Sequence, residues 1–135
     1  MRTDAEIDAA FPLMAALRDR LRAETFRGEI RRQQTEGYRL YGGFDGGHLA
    51  VLAGARRTHT LARGEHLFVD DLVTVESERG RGLGGEMIRW LAAMARAEGI
   101  ERMYLDSRAT AKGFYEKQGF HFLTSIPCFV ELPTL

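Results

Sequence analysis

Phe68-Val69-Asp70-Asp71-Leu72-Val73-Thr74-Val75-Glu76-Ser77-Glu78-Arg79-Gly80-Arg81-Gly82-Leu83-Gly84-Gly85 is the stretch whose reading decides the fold. It reads as a strand, a short charged loop, and a glycine-rich turn opening directly into a helix. A turn of that kind presents bare backbone N–H groups at the positive end of a helix dipole, which suits a phosphate-bearing ligand. The strand is apolar on both faces except at Asp70 and Asp71. Lack of alternation marks a central strand covered on both sides.

Downstream, the residues from 86 to 98 carry an apolar stripe of Met87, Ile88, Leu91, Met94 and Ala95, and Gly99 stops that helix. A strand is expected over 100–106, a short helix over 109–117 ended by Gly119, and one or two final strands from Phe120 onward, broken by Pro127. Upstream, Thr3-Asp4-Ala5-Glu6 has the form of a capping box, and the apolar spacing that follows predicts a helix over 4–21. Pro12 is expected to kink or restart it. A second helix runs through Phe26 and Ile30 and stops at Gly37. Two strands, about 38–44 and 48–58, flank the turn signal Asp45-Gly46-Gly47, and a third covers about 66–75. Three antiparallel strands followed by a β-α-β crossover imply a mixed sheet with helices on both faces.

The chain has 135 residues, and its length points to one domain spanning 1–135. Nineteen basic residues balance nineteen acidic ones, so no net field favours nucleic acid or an anionic membrane, and neither is expected as a partner. The single cysteine, Cys128, excludes an intrachain disulfide, and acids stand where a signal peptide would have its apolar core; both fit a cytoplasmic protein. The four histidines, His48, His59, His66 and His121, lack the paired spacing of a metal site, so no metal is expected.

Two functional readings of the glycine turn compete with a merely tight turn. Gly80, Gly82 and Gly85 satisfy G-x-G-x-x-G, with Asp106 about twenty residues on, as in a dinucleotide-binding oxidoreductase. However, Glu76-Ser77-Glu78-Arg79 separates the glycines from their strand, and only one crossover follows. The other reading takes Arg79-x-x-Gly82-x-Gly84. That segment resembles the acyl-CoA pyrophosphate loop of the GNAT superfamily of N-acetyltransferases, whose motif R/Q-x-x-G-x-G/A follows a central strand and opens a helix. Ala111-Lys112-Gly113-Phe114-Tyr115-Glu116-Lys117-Gln118-Gly119-Phe120 is similar to the same family's A-x-x-x-Y-x-x-x-G-F segment.

The resemblance implies a GNAT-like mixed α/β domain with a mostly antiparallel sheet. The family usually starts with a strand, but this chain caps a helix at Thr3, so that first edge strand is expected to be short or absent. It implies acetyl-CoA as co-substrate and transfer of its acyl group to a primary amine on a small molecule or a protein. Backbone groups of Leu72, Val73 and Thr74 would bind the pantetheine arm, and N–H groups of Arg79, Gly80, Arg81, Gly82, Leu83, Gly84 and Gly85 the pyrophosphate. Arg108 stands where the family often has asparagine and is expected to reach a CoA phosphate. Tyr115 matches the tyrosine thought to protonate the leaving thiolate; the alternative reading is a core tyrosine packing on Phe120. Asp70 and Asp71 are the candidate bases. Strand alternation would put them on opposite faces, so that only one faces the reaction centre; Asp70 is preferred because related sequences often carry glutamate there. An idle acyl-CoA-binding module with the same fold is the alternative function. An incomplete sheet edge would be a place for homodimer formation.

Overall fold

The computed structural model describes residues 1–134. Its elements run α1 (Asp4–Leu17), α2 (Ala23–Thr35), β1 (Tyr38–Asp45), β2 (His48–Thr60), β3 (Gly64–Thr74), α3 (Leu83–Ala97), β4 (Met103–Leu105) and α4 (Lys112–Lys117). One four-stranded sheet has the order β1-β2-β3-β4. The first three strands are antiparallel, and β4 lies parallel to β3 after the α3 crossover. This is the mixed α/β architecture expected, and among the described residues no strand precedes α1, so β1 is the sheet edge.

The start of α1 is the expected capping box: Thr3 Oγ1 accepts from the Glu6 N–H at 3.1 Å, and Glu6 Oε1 accepts from the Thr3 N–H at 3.2 Å. The helix continues through Pro12 and ends at Leu17, four residues earlier than its apolar spacing suggests. Ile7, Ala10, Leu13 and Met14 bury one face against Phe26 and Ile30 of α2 and against Tyr38, Leu40, Leu52 and Val73 of the sheet. On the other face, Met87, Leu91 and Ala95 of α3 cover Val51, Ala53, Ala55, Leu67 and Val69. The sheet is thus sandwiched, and β3 is buried in its middle. No described helix is long and apolar enough to cross a membrane.

Three further expectations fail. The glycine turn is tighter than expected, so α3 begins at Leu83 rather than 86. The β4 strand shortens to Met103–Leu105. The strands expected from Phe120 onward do not form: residues 120–131 pair with no strand, and only a 3-10 turn at Leu132–Thr134 follows. β-Propensity is realised only against a partner edge, and this segment meets none within its own chain.

Candidate active site

Register places the two aspartates. Gly54 pairs with Asp71 but Ala55 pairs with Val69, so Asp70 is an extra residue bulged out of β3. A bulge breaks the two-residue alternation of a strand. Below it, Leu67 and Val69 face α3; above it, Val73 faces α1 and α2, and Leu72 turns to α3. Asp71 therefore lands on the α1–α2 side, where its Oδ2 accepts from the Tyr38 hydroxyl at 2.8 Å and its Oδ1 accepts from Arg18 Nε at 3.0 Å. Arg56 alternates with Ala53 and Ala55, which face α3, and so stands on that same α1–α2 side. It donates to both oxygens of Asp70, Nε at 2.7 Å and Nη2 at 3.0 Å. The expectation of opposite faces is corrected: the bulge brings both carboxylates to one face, each bound to an arginine.

None of Arg18, Arg56 and Tyr38 carries a sequence signal for this role, because their partners are 53, 14 and 33 residues away. Tyr38 is buried, and its phenol is pushed up out of the ordinary tyrosine range, first by burial and then by the negative charge of Asp71. It remains a neutral donor to Asp71. Arg18 Nη2 also donates to the Asp70 carbonyl at 2.8 Å, pinning the end of α1 over the bulge. Arg108 Nη2 donates to the Leu17 carbonyl at 3.0 Å. The β4–α4 connection and the end of α1 therefore meet over β3. Beside them opens a cavity of about 320 Å³ between α1, α2 and β3, with Arg18, Arg20, Glu29, Gln33, Tyr38 and Asp71 in its lining. A larger, apolar cavity of about 450 Å³ lies between β1 and α3, and of the candidate residues it touches only Leu83.

The edge of β3 opposite β2 is open where it matters. Pairing with β4 covers Leu67, Phe68 and Val69 and then stops. The Val75 N–H donates to the Ala50 carbonyl of β2 at 2.8 Å. By alternation the N–H and C=O groups of Leu72 and Thr74 point away from β2, into the cleft where β3 and β4 separate. Val73, between them, is turned toward β2.

The glycine turn stands at the end of this edge. Gly82 caps α3 with φ 81° and Gly80 has φ 86°, left-handed conformations that favour glycine. A glycine N-cap offers no side-chain oxygen, so the first-turn N–H groups of α3 receive no side-chain cap. Beyond the glycine and its chain neighbours, no described atom lies within 4 Å of where a Cβ would stand at either residue, so the turn fronts open space. Arg79 is exposed there, whereas Arg81 is drawn back onto Asp45 (2.7 Å) and Glu78. Asp45, His48 and Glu78 are close enough together to hold a metal ion, but the Arg81 guanidinium already bridges the two carboxylates.

Helix α4 packs on the first turn of α3. A Cβ on Gly84 would come within 3.2 Å of the Phe114 ring and 3.6 Å of Thr74 Oγ1, and one on Gly85 within 3.1 Å of the Gln118 amide. These glycines thus serve helix–helix approach, a role for Phe114 and Gln118 that the motif alone does not announce. Tyr115 lies edge-on between Phe114 (ring centroids 4.9 Å) and Phe120 (5.4 Å). Burial raises its phenol pKa, so the hydroxyl keeps its proton at neutral pH.

An open strand edge, an uncapped helix start and a half-buried tyrosine converge at the end of β3, and the Acetyltransferase (GNAT) family model matches residues 7–120. The chain belongs to this family. A relative described as an uncharacterized N-acetyltransferase, YhdJ of Bacillus subtilis, is 32% identical over 116 residues, covering 82% of each chain. Among solved structures, an acetyltransferase of Trypanosoma brucei shares the fold with a TM-score of 0.77 at 23% identity, covering 96% of this chain and 95% of that one. Aminoglycoside N-acetyltransferase AAC(6′)-Iy in complex with CoA shares it with a TM-score of 0.83 at 14% identity, covering 96% and 91%. GNAT membership and the lone β3–α3–β4 crossover remove the dinucleotide reading of the glycine turn.

Proposed function

We propose that this GNAT protein moves an acetyl group from acetyl-CoA to a primary amine by direct attack, with Asp71 as base and Tyr115 as acid. The convergence of the open β3 edge, the α3 start and α4 carries the reading. Acetyl-CoA supplies an activated thioester. The free backbone groups of Leu72 and Thr74 suit the amide-bearing pantetheine arm, and the N–H groups around Gly82 suit the pyrophosphate, beside the exposed Arg79. Arg108, engaged with the Leu17 carbonyl, has the role of holding the end of α1 rather than a phosphate.

An amine with a pKa near ~10 is protonated at neutral pH and must lose a proton before its lone pair can attack the thioester carbon. The cavity beside α1 and α2 favours Asp71 over Asp70 for this step. Both carboxylates have both oxygens engaged, Asp70 by Arg56 and Asp71 by Arg18 and Tyr38, but Asp71 lines that cavity and Asp70 does not. A cationic amine entering there competes with Arg18, whose side chain is 44% exposed, for the Asp71 carboxylate and then passes its proton to it. As nitrogen bonds to carbon, a backbone N–H at the open edge of β3 receives the developing oxyanion. The carbon–sulfur bond then breaks, Tyr115 gives its proton to the departing sulfur, and the nitrogen sheds its second proton to solvent, from which the phenol is restored, leaving the neutral amide and the free thiol.

An amine panel incubated with acetyl-CoA and read by free-thiol release tests this. Asp71→Asn is expected to abolish release most completely at low pH, where deprotonating the amine is hardest. If Asp70→Asn has that effect and Asp71→Asn does not, the base is Asp70. Should every amine fail while acetyl-CoA at about 100 times its Kd still stabilises the fold by roughly 2.7 kcal/mol, the protein is an idle acyl-CoA-binding module.

A further inference from the structure

We infer that the acceptor carries an acid group as well as its amine: it is a small primary amine with a carboxylate or phosphate a few bonds from the nitrogen, and Arg18 and Arg20 hold that acid. This rests on the reading of Asp71 as the base and names the class of molecule that reaches it. The cavity of about 320 Å³ between α1, α2 and β3 lies at the small end of the range for ligand sites. Leu21, Phe26 and Ile30 give it an apolar wall, and its charged lining is Arg18, Arg20, Glu29 and Asp71. Asp71, its side chain 14% exposed, stands at the inner end, and Arg20 and Glu29 are exposed toward the mouth.

The lining balances its own charges, two arginines against two carboxylates. Arg18 meets Asp71. Arg20, in the turn between α1 and α2, and Glu29, on α2, enter no ion pair among the described residues. Asp70 has no charge to spare, because Arg56 holds both its oxygens. An ammonium that takes the Asp71 carboxylate separates Arg18 from its counter-ion and leaves this lining with one positive charge in excess. An acid group on the same molecule restores the balance. A second ammonium worsens it, so the arginines select against polycationic amines.

The geometry also sets how far apart the two groups lie. Arg18 Nη2 donates to the Asp70 carbonyl at 2.8 Å, a contact that keeps the guanidinium beside Asp71 after the carboxylate changes partner. An acid group bound to that guanidinium is therefore close to an ammonium on Asp71, which limits the spacer to a few bonds. Guanidinium groups fit the paired oxygens of either carboxylate or phosphate. Glu29 repels an acid on its side of the mouth and directs it toward Arg20.

Thiol release from acetyl-CoA with L-alanine, 4-aminobutanoate and 2-aminoethyl phosphate, set against ethylamine, butylamine and 1,4-diaminobutane, tests this. The acid-bearing amines are expected to exceed the others in kcat/KM by about tenfold or more, the effect of a hydrogen bond between charged groups that the others cannot make. The better of the carboxylates and the phosphate identifies the acid. Arg20→Gln, in an exposed turn, is expected to reduce that preference about tenfold through KM and not kcat, and Arg20→Lys to restore part of it. A preference for the acid-free amines, or an Arg20→Gln variant with an unchanged preference, overturns the inference. Calorimetric titration of the same amines into the CoA-bound protein separates this inference from the transfer reading. Tighter binding of the acid-bearing amines, weakened by Arg20→Gln, with no thiol release from any amine would overturn transfer and uphold the selectivity of the cavity. Thiol release with no such difference in affinity or kcat/KM would overturn the selectivity alone, and the absence of both binding and release would overturn both.

Discussion

Replacing Gly54 with alanine tests the arrangement that orients Asp71. A Cβ at residue 54 would stand 1.7 Å from the Tyr38 hydroxyl oxygen, 2.3 Å from Cζ and 2.5 Å from Cε2. The clash is with the body of a ring that is only 3% exposed, so Tyr38 cannot swing into solvent without leaving the core. Forcing the ring aside costs about 1–3 kcal/mol by overpacking. It also breaks the 2.8 Å hydrogen bond to the Asp71 carboxylate, a bond to a charged acceptor worth about 1.5–3 kcal/mol. The sum, roughly 3–5 kcal/mol, is a large share of the ~5–15 kcal/mol of a typical domain. A chain of this length would lose on the order of 10 °C or more in Tm. Urea denaturation followed by circular dichroism reads the loss directly. Tyr38→Leu removes the obstructing atoms, so Gly54→Ala added to Tyr38→Leu is expected to cost far less than it does alone. A loss below about 1 kcal/mol for Gly54→Ala, or strict additivity in the double variant, would refute the clash.

Other perturbations address the remaining parts of the site. Tyr115→Phe keeps the ring between Phe114 and Phe120 but deletes the proton. It is expected to lower kcat by about 10²-fold or more with CoA affinity unchanged; an unaltered kcat would exclude the tyrosine as acid. Gly82→Ala must hold a side chain at φ 81°, at a cost of about 1–2 kcal/mol, and sets a methyl in the open space before α3. Calorimetric titration is expected to show CoA binding weakened about tenfold or more. At the far end of α3, Arg39 donates to both oxygens of Glu98, at 2.7 and 3.1 Å, and holds that carboxyl below its ordinary range. A carboxyl depressed by folding stabilises at pH above its unfolded value and loses that contribution as pH falls through the folded one. Unfolding free energies are expected to drop below about pH 4.5 more steeply in the unsubstituted chain than in Glu98→Gln. Parallel curves would show that the pair contributes nothing.

Much of the fold was legible because its signals are local. The capping box at Thr3 and Glu6, the glycines that turn β1 into β2 and the apolar stripe of α3 depend on residues a few positions apart, and all three form as read. The ends of elements were less legible: α1 stops at Leu17, although Leu21 still packs against its core. The last strands were misread for a related reason. Residues 120–132 have the composition of strands, but a strand exists only with a neighbour, and composition cannot say whether that neighbour lies in the same chain.

The stretch from Phe68 to Gly85 divides the matter clearly. By itself it pointed to a central strand and a helix start bare of side-chain caps, and together with Ala111–Phe120 it pointed to a family, since these rest on residue types at short fixed spacing. Only the tertiary structure decided what Asp70 and Asp71 do. Their facing depends on one bulge against β2, and their charges are met by Arg18, Arg56 and Tyr38 from three other elements. A shift of one residue in strand pairing turns every side chain beyond it to the other face, and pairing register is a property of two strands, written in neither alone.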